Sequence, residues 1–330
     1  MRNIRVIGTG SYLPEKVLSN KDLEKLMDTS DDWIYSTYGI RERRIVADHQ
    51  NVSDLSIASG KSAIENAGID PESIDVIIHA SINNDYRAPA TACIVQGDLG
   101  CNNAFAFDMN LGGCPNAAFA IATAAKYLDG EQYKRALVIG TEVYSKFINW
   151  SHRDTSCFLG DGSGAIVLEW NGREKPAAQA LHTDGRFFRE AIWPGAGTVV
   201  VDKSFETPLI NGRAVWNFGH TMIPDIISEV SQLASIPVHK IDFFVFHQAN
   251  ARMIHDILEI TGIPKEKTYI NNYKYGNTGG ASSLIALDEA HRCGLISNND
   301  SVLLCSYGAG LAWGAVILNF DTADYGSIGS

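Results

Sequence analysis

The apolar positions of this chain fall into short, bounded runs that come in pairs. Val76-Ile77-Ile78-His79 follows Ile69-Asp70-Pro71-Glu72-Ser73-Ile74-Asp75, and Phe243-Phe244-Val245-Phe246-His247 follows Ile236-Pro237-Val238-His239-Lys240-Ile241-Asp242. Each run is apolar at consecutive positions, which predicts a strand buried on both faces, and each is preceded by a stretch of helical periodicity. A second pair joins a glycine-bearing loop to a helix. Leu111-Gly112-Gly113-Cys114 precedes the small-residue stretch 115–128, and Tyr275-Gly276-Asn277-Thr278-Gly279-Gly280 precedes 281–293. In a third pair, residues 160–168 and 310–318, a glycine-bearing turn runs into a buried strand, and the strands before them, 136–140 and 301–306, also correspond.

Matches recurring in one order amount to an internal duplication, which constrains a fold more than any single motif. A β/α unit of this size cannot cover its own sheet, so two copies are expected to pack face to face about a pseudo-twofold axis. This predicts an α/β protein with halves at 1–172 and 173–330. Residues 172–215, rich in Gly, Pro and charge, read as a crossover and capping segment outside the core.

Composition narrows the partners. The 330 residues are 45% hydrophobic and 20% charged, ordinary for a globular chain with a sizeable core. A formal charge of −11 argues against nucleic acid or an anionic membrane surface as the main partner. No apolar run approaches the ~20 residues that span a bilayer, and the first residues lack a signal-peptide core, so a cytoplasmic protein is expected. The six cysteines (Cys93, Cys101, Cys114, Cys157, Cys293, Cys305) show no C-x-x-C pair and read as free thiols, most of them small core residues. Gly60-Lys61-Ser62 imitates the end of a P-loop, but Leu55 stands where its first glycine belongs. No dinucleotide fingerprint or metal-ligand spacing is present, so no cofactor is assigned.

Three residues carry the candidate chemistry. Cys114 follows two glycines and precedes Pro115, a residue suited to the first helical position, so its thiol is expected at a helix N-terminus that favours the thiolate. Its own amide would serve as an oxyanion donor; a buried structural cysteine in a packed loop is the alternative. His247 ends a strand, where sites in α/β folds collect, although its repeat partner His79 shows that position alone proves little. Asn277 either donates its side-chain N–H to a developing oxyanion or occupies a left-handed turn. The duplication brings both helix entrances toward the axis. Cys114, Asn277 and His247 should then share one cavity, and a thiol, an imidazole and an amide with no carboxylate suit acyl transfer followed by stabilisation of an enolate.

Thr29-Ser30-Asp31-Asp32-Trp33, Gly39-Ile40-Arg41-Glu42-Arg43, the Gly-Cys loop, Gly160-Asp161-Gly162, His247-Gln248-Ala249-Asn250, Gly276-Asn277-Thr278 and Gly308-Ala309-Gly310 with Trp313-Gly314 together resemble β-ketoacyl-acyl-carrier-protein synthase III, of the thiolase-like superfamily. The resemblance runs in order along nearly the whole chain. It implies a five-layer αβαβα sandwich and a ping-pong reaction. Cys114 would take an acyl group from acyl-CoA, and a malonyl thioester on acyl carrier protein or CoA would then decarboxylate and attack it. His247 and Asn277 would hold the malonyl thioester oxygen, while the amides of Cys114 and Ala309 would hold the other oxyanion. Trp33 and Arg153 match positions that clasp the CoA adenine. Gly212, Trp216, Ala249 and Asn250 match the pantetheine tunnel, and Arg252 matches a carrier-docking residue. A homodimer is implied as well.

Several positions depart from the family pattern. Thr37 replaces an arginine at the CoA mouth, and Asn217 replaces a docking lysine. Pro115 and Asn116 replace small residues after the nucleophile, and Ala88 replaces a bulky residue with which the neighbouring subunit shortens the acyl pocket. With Trp216 at an aromatic gate, these changes predict a pocket for a longer, branched or functionalised acyl group, in fatty-acid initiation or a specialised polyketide pathway. Two rivals are an acyltransferase delivering to a hydroxyl or amine, and a non-catalytic partner that binds acyl chains or carrier protein.

Overall fold

The computed structural model describes residues 4–172, 178–195 and 208–322. The chain writes one pattern twice. The first copy opens with β1 (Ile4–Tyr12), then a small excursion in which β2 (Lys16–Ser19) pairs with β3 (Glu42–Ile45) around α1 (Asn20–Leu23) and α2 (Asp31–Tyr38). It continues through α3 (Val52–Ala67), β4 (Val76–Ala80), α4 (Thr91–Leu99), β5 (Phe105–Met109), α5 (Asn116–Tyr127), β6 (Arg135–Glu142), the short α6 (Arg153–Ser156) and β7 (Gly162–Trp170). The second copy runs β8 (Ala178–Thr183), the small pair β9 (Ala191–Ile192) and β10 (Leu209–Ile210), α7 (Gly212–Ala234), β11 (Phe243–Phe246), α8 (Ala251–Thr261), α9 (Asn272–Tyr275), α10 (Ala281–Arg292), β12 (Ser301–Gly308) and β13 (Ala312–Phe320).

Pairing repeats with the elements. In the first half β4 is parallel to β5 and β6, while β7 is antiparallel to β6 and β1. In the second, β11 is parallel to β12, and β13 is antiparallel to β12 and β8. The position of β5 is taken by a single parallel bridge from Thr268 to Phe244. The two sheets join where Arg5 and Val6 pair with Asn319 and Phe320.

Because strand side chains alternate between faces, each apolar run feeds two layers at once. Val76, Ile78, Val138 and Ile166 from the first sheet and Val245, Val302, Leu304 and Val316 from the second enclose α5 and α10 in one shared core. Ile77, Leu137, Ile139 and Val167 face the other way, onto α3 and α4. Phe244, Phe246, Leu303 and Ile317 pack on α7 and α8. The result is the five-layer arrangement, with the two small-residue helices in the middle.

One expectation changes. Residues 173–177 and 196–207 of the expected crossover lie outside the described residues, but β8 within it is a core strand, with Ala178 and Ala180 buried against α7 and α8. Its Ala-Gln-Ala-Leu-His-Thr sequence has a single β-branched residue, at its last position, so pattern alone gave it little strand signal. Gly60-Lys61-Ser62 lies inside α3 and not in a phosphate-binding loop. Cys101, Cys157 and Cys305 are buried core residues, whereas Cys93 and Cys293 are exposed.

Candidate active site

The entrances of α5 and α10 meet at one end of the central layer. Cys114 stands two residues before α5, with Pro115 as its N-cap residue. The loop is held closed by Asn116, whose backbone N–H donates to the Gly113 carbonyl (2.9 Å) and whose Oδ1 accepts the Leu111 N–H (2.8 Å). Gly308, at the end of β12, backs the thiol so closely that a Cβ there would lie 2.6 Å from the Cys114 Cβ.

Asn277 arrives from the second half and is fixed by the first. Its N–H donates to the Phe158 carbonyl (2.7 Å), and its carbonyl accepts the Gly160 N–H (3.0 Å). Its Oδ1 accepts the Gly279 N–H at 2.8 Å, which leaves the Nδ2 donor facing Cys114 Sγ, 3.9 Å away. His247 lies just past β11, its N–H donating to the Cys305 carbonyl at 2.9 Å. The ring meets Tyr307 edge-on at 5.3 Å, and Nδ1 lies 2.6 Å from Ser282 Oγ.

All three residues line a single cavity of about 1310 Å³, together with Ala309, Trp33, Gly212, Trp216, Ala249 and Asn250. Arg153 stands behind the mouth, its guanidinium 4.0 Å over the Trp33 ring. Arg252 is exposed at the rim and donates to the Ser36 carbonyl at 3.1 Å. Asn250 donates to the carbonyl of Thr37, one of the departing positions. Ala88 does not join them: it is exposed on the loop before α4 and lines no part of the cavity within one chain.

The electrostatics differ from expectation in two respects. Burial pushes the Cys114 thiol up to about 12, with a further push from Glu142; the Asn277 amide and a backbone N–H pull the other way and lose. The residue keeps some contact with the open cavity, but its sulfur lies under enough protein that desolvation dominates. Burial thus outweighs the helix entrance and favours the thiol over the thiolate.

The second correction concerns the missing carboxylate. Glu142 ends β6 fully buried beneath both glycine turns: its Oε1 would lie 3.2 Å from a Cβ on Gly113, and its Cγ 2.7 Å from one on Gly279. Burial drives its carboxyl well above the usual range, so the neutral acid is favoured and the site gains a carboxyl without gaining its charge. The duplication carried the signal for this residue, since Glu142 occupies in β6 the place of Gly308 in β12. Tyr144 and Trp193, whose rings lie tilted against each other at 5.3 Å along the cavity wall, were also missed, and no local pattern marks them. Burial lowers His247 to about 3 against the pull of the Gly279 carbonyl, so the imidazole is neutral.

Among the described residues no group of His, Cys, Asp and Glu is placed to hold a metal, and no helix is long and apolar enough to cross a membrane.

Known proteins share both sequence and fold. The family pattern for 3-oxoacyl-[acyl-carrier-protein] synthase III matches residues 107–185, and that for the C terminal of the same synthase matches 232–320. The β-ketoacyl-[acyl-carrier-protein] synthase III of Caldanaerobacter subterraneus subsp. tengcongensis is 40% identical over 96% of this chain and 97% of its own. The crystal structure of 3-oxoacyl-[acyl-carrier-protein] synthase III from Aquifex aeolicus superposes with a TM-score of 0.89 at 34% identity, covering 96% of this chain and 100% of that one. The priming β-ketosynthase of the R1128 polyketide pathway reaches the same TM-score at 28% identity, covering 97% and 96%. By identity, coverage and fold, the chain belongs to the 3-oxoacyl-[acyl-carrier-protein] synthase III family of acyl-transferring condensing enzymes.

Proposed function

We propose that this protein primes chain synthesis by moving an acyl group from acyl-CoA to Cys114 and condensing it with a malonyl thioester on acyl carrier protein. The observation that carries this reading is the convergence of Cys114, His247 and Asn277, from opposite halves of a duplicated chain, on one cavity. Halves 1–172 and 173–330 act as two units of one site, the first supplying the sulfur and the second the two side-chain donors.

In the first step Cys114 displaces CoA from the acyl carbonyl. A thioester is exchanged for a thioester, and the cysteine proton leaves with CoA as its thiol. The malonyl thioester then loses CO2, and the electron pair left behind spreads onto the thioester oxygen. Neutral His247 and Asn277 meet that oxygen with N–H donors, which act where its charge develops. The resulting carbon nucleophile attacks the acyl-Cys114 carbonyl, whose oxygen is held by the amides of Cys114 and Ala309. Collapse releases a β-ketoacyl thioester and the Cys114 thiolate, which takes a proton from solvent to restore the thiol.

The rim supports a CoA donor and a carrier partner. Trp33 and Arg153 offer a flat cationic clasp for adenine, and Gly212, Trp216, Ala249 and Asn250 line the way in for pantetheine. Arg252 stands exposed where an acidic carrier would dock. The cavity exceeds the roughly 300–1,000 Å³ of most small-molecule pockets, which supports an acyl group larger than acetyl beside the pantetheine arm. Ala88 would reach the acyl pocket only from a second copy. The edge strand β5 supports such a dimer, since its Phe105 and Phe107 stay half-buried beside Tyr127 and Tyr133.

Intact-protein mass spectrometry after incubation with a panel of acyl-CoAs, followed by malonyl-carrier protein, tests the reading. The expected result is a single acyl adduct, absent from Cys114→Ala, that disappears with formation of a β-ketoacyl thioester. Discharge by hydroxyl or amine acceptors alone, or no adduct with any donor, would overturn it.

A further inference from the structure

Among the described residues the buried hydroxyl of Ser282, on the first turn of α10, has one acceptor for its proton. Ser282 is 2% exposed, so that proton must be placed within the protein. Its Oγ already accepts the backbone N–H of Gln248 at 3.1 Å. The remaining neighbour is Nδ1 of His247, at 2.6 Å. Among the described residues the Ser282 hydroxyl makes no hydrogen bond besides these two.

From this accounting we infer that Ser282 is a positioning residue whose hydroxyl donates to His247 Nδ1 and thereby fixes the imidazole as its Nε2–H tautomer. A neutral imidazole carries one proton, so a donor at Nδ1 assigns that proton to the far nitrogen. Burial keeps the ring from acquiring a second proton. The Gln248 N–H holds the hydroxyl from the other side, so the chain Gln248 N–H to Ser282 to His247 has a single direction. The second donor of the site is thus set before substrate arrives, and His247 cannot take the Cys114 proton at Nε2. Ser282 should matter to decarboxylation and not to acylation, a split that deepens the condensing reading and rests on it.

The test has two arms. Long-range proton–nitrogen NMR on 15N-histidine-labelled protein, with His247 assigned by its absence from His247→Asn, reads the tautomer without any substrate. Nε2–H is expected in the wild type, with a shift toward Nδ1–H in Ser282→Ala. Single-turnover assays should show malonyl-carrier decarboxylation falling roughly tenfold to a thousandfold in Ser282→Ala, acylation of Cys114 staying within about twofold, and recovery in Ser282→Thr. An Nδ1–H ring in the wild type, or a Ser282→Ala enzyme with unchanged decarboxylation, would overturn the inference. Should Ser282→Ala not fold, the wild-type spectrum still decides. Absence of both half-reactions in the wild type would instead strike the condensing reading and leave the NMR result standing.

Discussion

The Nδ2 donor of Asn277 faces the sulfur of Cys114 at 3.9 Å across 163 positions of chain. It does so because Oδ1 is taken by the Gly279 N–H, and because both backbone groups are locked to Phe158 and Gly160 of the other half. The amide cannot flip without losing the Gly279 bond, so its orientation is fixed in advance of substrate.

Asn277→Asp keeps the Gly279 bond and the turn but replaces the donor with an acceptor beside the sulfur. The thiol should be harder to ionise, and decarboxylation of the malonyl thioester should fall by roughly a hundredfold or more. Acylation by acyl-CoA should fall less. Separate rates for the two half-reactions check this, and an equal loss in both would show that Asn277 does not favour the second step.

A thiol held near 12 has a signature in alkylation. Only the thiolate reacts, so the rate of Cys114 modification by iodoacetamide should climb about tenfold per pH unit from 7 to 9. An ordinary cysteine would begin to level off near ~8.5. Glu142→Gln should move the profile somewhat toward lower pH, because it removes the weaker of the two pushes on the thiol. A plateau below pH 9 would mean that the helix end wins over burial after all.

Much of this architecture was legible because its cause is local. Residues such as Val76, Ile78, Phe243 and Val245 are apolar at every step since both faces of the strand are covered, and the glycine turns before α5 and α10 announce two equivalent helix entrances. Cys114, His247 and Asn277 followed from that repetition. The ionisation of the site was not legible. Whether the thiol is raised or lowered depends on how much protein lies over it and on Glu142, which the fold brings under Gly113 from 29 residues downstream on β6. Ser282 likewise gains its meaning from a 2.6 Å contact with a ring 35 residues away.

Arg43 is a fully buried cation that ties three segments of the first half together. Its guanidinium donates to the Leu18 carbonyl (3.0 Å), Asn20 Oδ1 (2.9 Å) and the Cys157 carbonyl (2.6 Å), next to the Phe158 carbonyl that receives Asn277. Arg43→Met keeps the volume but strands three buried acceptors, and should destabilise the fold by about 3 kcal/mol. Denaturant unfolding measures the loss. The surviving folded enzyme should decarboxylate more slowly than it acylates, since the Asn277 anchor is loosened.

The Trp33–Arg153 pair at 4.0 Å is half-buried, and the proposed reading makes it a clasp for a flat ring. Removing the indole in Trp33→Ala should raise KM for acyl-CoA by roughly three- to thirtyfold while kcat changes little, as expected when binding is lost equally from ground and transition states. Pantetheine thioesters that lack the nucleotide should not distinguish wild type from variant. A fall in kcat with unchanged KM would remove adenine recognition from this pair.

Acidification should act on His247 through folding, not through chemistry. At pH 8 the ring is neutral in both folded and unfolded chains. Below about 6.5 the unfolded ring binds a proton that the folded ring refuses until about 3, so protons favour the unfolded chain and stability drains away across that window. His247→Asn lacks this drain and should lose less stability between pH 6.5 and 4.5, by urea unfolding at each pH. Glu142 acts with the opposite sign: its raised carboxyl holds a proton that the unfolded chain releases above about 4.5, so stability falls as pH rises, and Glu142→Gln should flatten that slope. Because the folded imidazole stays neutral, kcat for decarboxylation should show no acid limb near 6.5. A limb centred there would mean that the ring protonates inside the site, and the neutral-donor role of His247 would have to be abandoned.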